Sequence, residues 1–190
     1  AGKRPHSAWF CLGPVISEVL GLLARSNPGA RIVVPAAPNV RDAVGTLAVT
    51  WGDKVLVVDG ASERYDAFAA SDLALAASGT VTLELAYAGV PTVVIYQVRK
   101  LTGEIARRMI RIEHVSIVNI VAGRLIFPEF LQSRCRPALI TGAVSALLGD
   151  RDAARIIGAD AQAIACDIAG GGDKPSARAA RAIRAIVAAA

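Results

Sequence analysis

Residues 72–96, DLALAASGTVTLELAYAGVPTVVIY, constrain the fold more tightly than any other stretch of this chain. Residues 73–77 form an apolar run of strand length. Ser78-Gly79-Thr80 breaks the run, because Gly permits a sharp turn and Ser or Thr can cap a helix. Residues 80–87 are good helix formers, and Gly89 stops them. After Pro91, the β-branched run Thr92-Val93-Val94-Ile95 reads as a second buried strand. The sum is a βαβ unit. A helix that opens at the carboxyl end of a parallel strand offers free backbone N–H groups, which can hold a phosphate without a basic side chain. Glu84 lies one turn inside that helix, where a carboxylate can accept hydrogen bonds from the hydroxyls of a nucleotide sugar. Taken singly, such a turn is more often only a cap, and one helical Glu more often a solvated residue.

The flanking sequence repeats the alternation. Residues 8–12 (AWFCL) read as a first strand ending at Gly13, and residues 14–25 as a helix with Pro at its first position. Residues 31–34 read as a strand ended by Pro35, 39–47 as a helix, 54–58 as a strand closed by Asp59-Gly60, and 65–70 as a short helix. Residues 115–118 read as a last strand. Strands too apolar to face water on either side predict an α/β fold with a doubly wound parallel sheet. Ligands of such sheets lie at strand carboxyl ends, here near Gly13, Gly60 and Ser78. Beyond Pro137 the chain is Ala-rich, with helices expected over 137–148, 152–165 and 176–187. We divide it into a Rossmann-like domain over 1–150 and a helical C-terminal tail over 151–190.

Composition excludes several classes. With 54% hydrophobic and 19% charged residues there is ample material for a core. No run is long and apolar enough to span a bilayer. Neither a signal-peptide pattern nor an initiator Met is present, which marks the chain as trimmed or a fragment. Cys11, Cys135 and Cys166 are widely spaced and two histidines remain, so a reduced compartment and no structural zinc are expected. The net charge of +5 suits an anionic partner, but basic residues interleaved with aromatics are missing, so nucleic acid is not expected. Residues 101–112 read as an amphipathic helix. Its Arg107, Arg108 and Arg111, with Arg99 and Lys100 beside it, form either a solvated face or a contact for anionic lipid headgroups.

The combination S-G-T-x-T-x-E, then G-V-P and a strand, resembles the donor-nucleotide site of GT-B glycosyltransferases, specifically lipid-A-disaccharide synthase. Asn119-Ile120-Val121-Ala122-Gly123-Arg124 followed by Pro128-Glu129-Phe130-Leu131-Gln132 resembles that family's Asn-x-x-Ala-Gly-Arg and Pro-Glu-x-x-Gln segment. Val118 stands where the family usually has Pro, and Gln97 where it has Arg. The resemblance covers nearly all of this chain but only the C-terminal half of the family enzyme, one of two Rossmann-like halves. It implies an inverting transfer from UDP-2,3-diacylglucosamine to 2,3-diacylglucosamine 1-phosphate, giving lipid A disaccharide and UDP. This half would hold the UDP-sugar through Gly13, Gly60, Ser78, Gly79, Thr80, Glu84, Asn119, Arg124 and Gln132. The base would come from the N-terminal half, and no metal or cofactor is needed, because helix N–H groups and Arg124 meet the diphosphate. Such an enzyme works at the cytoplasmic face of the Gram-negative inner membrane, as a peripheral protein. A homodimer stays open, as do another UDP-GlcNAc-using GT-B enzyme (a peptidoglycan lipid-intermediate transferase or a UDP-GlcNAc 2-epimerase) and a nucleotide-binding module inactive alone.

One departure stands out. The family's first strand ends in a Pro-Gly-Ser-Arg loop, absent here between Gly13 and Pro14. A loop omitted between those two residues is the expected explanation, with a true deletion as the alternative.

Overall fold

The computed structural model describes residues 7–97, 113–170 and 174–188. The expected helix over 101–112 and the basic residues Arg99, Lys100, Arg107, Arg108 and Arg111 lie outside them. The chain opens with α1 (Ser7–Ser26), then β1 (Ile32–Ala36), α2 (Arg41–Trp51), β2 (Val55–Asp59) and α3 (Ala61–Ala69). The central unit is β3 (Ala74–Ala77), α4 (Thr80–Tyr87) and β4 (Thr92–Tyr96). After it come α5 (Ile117–Ala122), β5 (Glu129–Leu131), a 3-10 turn over Gln132–Arg134, and α6 (Pro137–Gly149), α7 (Arg151–Ala169) and α8 (Pro175–Ala188). The chain is mixed α/β with parallel sheets and a helical C-terminal end. Among the described residues no helix is long and apolar enough to cross a membrane.

Every strand pairing among the described residues is parallel. Ala74 pairs with Thr92 and Ala77 with Ile95, while Val94 pairs with Glu129 and Tyr96 with Leu131. The carboxyl edge of this sheet is therefore Ser78, Gln97 and Gln132. Alternate residues of β4 serve opposite faces, as the two-residue period of a strand requires. Val93 and Ile95 pack with Leu12, Val19 and Leu23 of α1 and Ile140 and Val144 of α6. Val94 packs with Ala86, Val118, Phe127 and Ala161 and Ala165 of α7. A third cluster, Phe68, Ala76, Leu85 and Val90, joins α3, β3 and α4. Burial on both faces is what a run as apolar as Thr92–Tyr96 demands. The division expected at residue 150 falls on Asp150, whose Oδ1 caps α7 by accepting from the Ala153 N–H at 2.9 Å.

Three sequence expectations are corrected. Residues 8–12 are not a strand but the first turns of α1, which runs unbroken through Pro14. Gly13 and Pro14 both lie within this helix. Helical spacing decides the matter: Leu12, Val19 and Leu23 share one face and are buried, which offsets the one backbone donor that Pro14 lacks. A single sheet was also expected, whereas β1–β2 and β3–β4–β5 are two separate sheets. The two findings are linked, because a doubly wound sheet places its first strand between the second and the fourth. Without a strand at 8–12, no strand among the described residues bridges β1 to β3. Finally, residues 115–118 do not form the last strand. Ser116 Oγ accepts from the Asn119 N–H at 3.2 Å and caps α5, Gly123 ends that helix in the left-handed region, and the edge strand is β5.

Candidate functional site

The site grows from the turn between β3 and α4. The Ser78 N–H donates to the Ile95 carbonyl at 3.1 Å, which carries the ladder one residue past β3. Gly79 then takes φ 153° and ψ −165°, a region essentially closed to residues with a Cβ. Gly79 occupies the cap position without any side-chain cap bond, so neither Ser78 nor Thr80 is the cap. The Thr82 hydroxyl donates back to the Gly79 carbonyl at 2.7 Å. Gly79 and Thr80 are exposed and Ser78 half-buried. The first N–H groups of any helix lack intrahelical acceptors, so α4 directs its donors and its positive dipole end outward at the sheet's carboxyl edge.

A second group of residues fixes this turn from behind. The Ser78 hydroxyl donates to the Val115 carbonyl at 2.6 Å. Val115 and Ser116 in turn donate their N–H groups to the Glu129 carboxylate at 3.0 and 2.8 Å. Glu129 is 97% shielded, its side chain being 3% exposed, and His114 Nδ1 stands 3.9 Å from it. A buried carboxylate is tolerable only when hydrogen-bonded in this way. Sequence reasoning quoted Glu129 as part of a motif but gave it no role. Its partners lie fourteen and thirteen residues upstream, a spacing with no periodic signature.

The remaining candidates separate. Glu84 is half-buried, and its Oε2 lies 3.5 Å from an Arg64 guanidinium nitrogen. That contact is an ion pair without hydrogen-bond geometry, since Oε2 is buried with no hydrogen-bond partner. Gln132 sits at the carboxyl end of β5 with φ 47°, a left-handed conformation uncommon outside glycine. Gly60 ends β2 at φ 99°, at the carboxyl edge of the other sheet. Arg124 is exposed and bound to Asp160 of α7 at 2.9 Å.

Two candidates are withdrawn. Gly13 lies inside α1 rather than at a strand end. Asn119 is fully buried. Its Oδ1 accepts from the Ile126 and Phe127 N–H groups at 2.9 Å each, and its Nδ2 donates to the Phe127 carbonyl at 2.9 Å. That side chain is committed to the loop before β5 and has no surface to offer a ligand.

Two hollows border other parts of the described residues. A hollow of about 200 Å³ borders Glu113, Leu125, Glu129 and Arg134. A second, of about 690 Å³, lies at the opposite, amino edge of β1–β2 beside Pro28 and Lys54. Neither includes Ser78, Glu84 or Gln132. Ligand pockets usually enclose most of their ligand, so the turn presents one wall of a site. Among the described residues no group of three His, Cys, Asp or Glu side chains converges as a metal site would require.

Comparison with known proteins bears on this wall. The family described as lipid-A-disaccharide synthetase matches residues 11–179. The chain is similar to the lipid-A-disaccharide synthase of Paramagnetospirillum magneticum, with 41% identity over 184 residues, covering 96% of this chain and 47% of that relative. It is 39% identical to the lipid-A-disaccharide synthase of Granulibacter bethesdensis over 149 residues, 78% of this chain and 38% of the relative. For the lipid-A-disaccharide synthase of Rhodospirillum centenum the figures are 38% identity over 170 residues, 90% of this chain and 42% of the relative. The chain spans less than half the length of these relatives, and matches their C-terminal part.

Proposed function

This chain belongs to the lipid-A-disaccharide synthetase family, and we propose that it is the part of such a glycosyltransferase that holds the donor nucleotide. The observation that carries the reading is a mismatch of polar groups beside the turn. Among the described residues no side-chain cap bond closes the α4 N-terminus, and of the Glu84 carboxylate Oε2 is buried against Arg64 while Oε1 has no hydrogen-bond donor. A nucleoside diphosphate supplies both complements, a diphosphate for the N–H groups and a ribose diol for the carboxylate. Gln132, two strands away on the same carboxyl edge, and Gly60 complete the proposed wall.

The proposed reaction joins UDP-2,3-diacylglucosamine to 2,3-diacylglucosamine 1-phosphate. The acceptor hydroxyl oxygen attacks the anomeric carbon from the face opposite UDP. The carbon–oxygen bond to the diphosphate breaks, and the hydroxyl proton passes to a carboxylate base outside this chain. What this chain contributes is stabilisation of the leaving diphosphate, whose charge grows as that bond stretches. N–H groups fixed by the Ser78–Val115–Glu129 bonds need little reorganisation at that moment. Arg124 would join them by exchanging Asp160 for phosphate. The remainder of the enzyme, the lipid acceptor and an anionic membrane surface at the cytoplasmic face are the partners this reading requires.

The test is a calorimetric titration of the 190-residue chain with UDP, alongside a transfer assay with and without the N-terminal part of a relative. The expected result is weak UDP binding, no transfer by the chain alone, and transfer when the missing part is added. Absence of UDP binding overturns the nucleotide reading. Disaccharide formed by the chain alone overturns the assignment of the base to the other part.

A further inference from the structure

The ion pair between α3 and α4 is built more carefully than a surface contact needs. The Arg64 guanidinium lies over the ring of Tyr65, 4.8 Å from its centroid, and donates to the Tyr65 hydroxyl at 3.1 Å. Tyr65 meets Phe68 edge-on, with centroids 5.9 Å apart. Phe68 is buried against Leu85, the residue after Glu84. Arg64 is thus braced by a chain of rings that ends in the core beneath Glu84 itself. Cation–π and edge-to-face contacts of this kind fix orientation as well as adding modest stability.

The consequence for Glu84 is asymmetric. Oε2 faces Arg64, is shielded from water, and lacks any hydrogen-bond donor. Among the described residues Oε1 has no hydrogen-bond partner and is not one of the buried unpartnered atoms, so it is the carboxylate oxygen open to a ligand. We infer that Arg64 is a positioning residue for nucleotide binding: it draws Oε2 toward α3 and so presents Oε1 of Glu84 to the 2′-hydroxyl of a ribose. This rests on the nucleotide reading above and adds a specificity determinant to it. An unbraced Glu on a helix samples several rotamers, and holding one of them spares the ligand that ordering cost.

The experiment compares UDP with 2′-deoxy-UDP on the 190-residue chain by calorimetry. The parent is expected to prefer UDP, and Glu84→Ala is expected to abolish that preference. Arg64→Gln is expected to weaken UDP binding about threefold to fivefold, the effect of losing a half-exposed ion pair, while 2′-deoxy-UDP binding stays unchanged. Arg64→Lys, which keeps the charge, is expected to restore most of the preference. A structural role for Arg64 would move both ligands equally, and that result overturns the inference. So does a preference that Glu84→Ala abolishes but Arg64→Gln leaves intact, with the nucleotide reading unharmed. If Glu84→Ala itself leaves the preference untouched, the ribose contact fails, and the inference with it. Should Arg64→Gln not fold, Tyr65→Phe, which removes only the hydroxyl brace, is expected to shift the preference in the same direction, and an unchanged preference there overturns the inference.

Discussion

Asn119→Ala separates the two roles that this residue could have had. If the side chain holds the loop before β5, its removal strands three buried backbone groups: the N–H groups of Ile126 and Phe127 and the Phe127 carbonyl. Each buried group left without its partner costs about 1–3 kcal/mol. Three such groups, with some relaxation, put the loss at roughly 3–6 kcal/mol. Typical stability is only about 5–15 kcal/mol, so the variant should be barely folded. In urea, with a slope of about 2 kcal/mol per molar, the midpoint should fall by roughly 1.5–3 M. Far-UV circular dichroism across a urea series measures this directly. UDP affinity, extrapolated to fully folded protein, should be unchanged. A midpoint within about 0.3 M of the parent, together with lost UDP binding, would refute the structural account and return Asn119 to the ligand.

Other substitutions probe other joints. A Cβ at Gly158 would stand 2.2 Å from the Gly89 carbonyl oxygen, so Gly158→Ala must push α7 away from α4, costing about 1–3 kcal/mol; a melting temperature equal to the parent's would contradict that packing. Arg124→Ala removes an exposed pair with Asp160, so stability should change by less than about 1 kcal/mol while UDP affinity falls, and equal affinity would dismiss Arg124 as a diphosphate contact. Burial pushes the Cys135 thiol up, a backbone hydrogen bond with Tyr96 opposing it only in part, whereas Cys166 is exposed. Because the thiolate is the reactive form, and raising the pKa depletes it at any given pH, a disulfide reagent at pH 8 applied to a Cys11→Ser background should modify Cys166 first. It should reach Cys135 only on unfolding, and equal rates on native protein would refute the buried assignment.

The βαβ unit was legible because its signals agree: Gly79, Gly89 and Pro91 punctuate runs whose periods are unambiguous, and α4 has the bounds its sequence suggests. The run at 8–12 was not, because a short apolar segment before Gly-Pro fits a strand or a buried helix equally by periodicity. What decided it was burial of Leu12 with Val19 and Leu23 against β4, a tertiary effect. At 115–118 the β-branched residues argued for a strand, and one serine cap prevailed. Of the candidate site, the turn and Glu84 could be read from local spacing. The Arg64 brace and the Glu129 clasp could not, since each joins residues that only the fold brings together.

The bond from Ser78 to the Val115 carbonyl links positions 37 apart in the sequence, and the carboxylate that secures Val115 lies later still. This has a consequence for the order in which the protein is made. On a ribosome, β3, α4 and β4 emerge together and can pair as soon as they are exposed. Their connecting turn cannot be secured until residues 115 and 129 follow, roughly two to seven seconds after β4 at ordinary elongation rates of about 5–20 residues per second. During that interval water occupies the places of the missing partners. The turn between β3 and α4 is therefore among the first parts of its unit to be synthesised and among the last to set. A nascent chain arrested short of residue 129 would carry the strand and the helix but not the fixed turn between them.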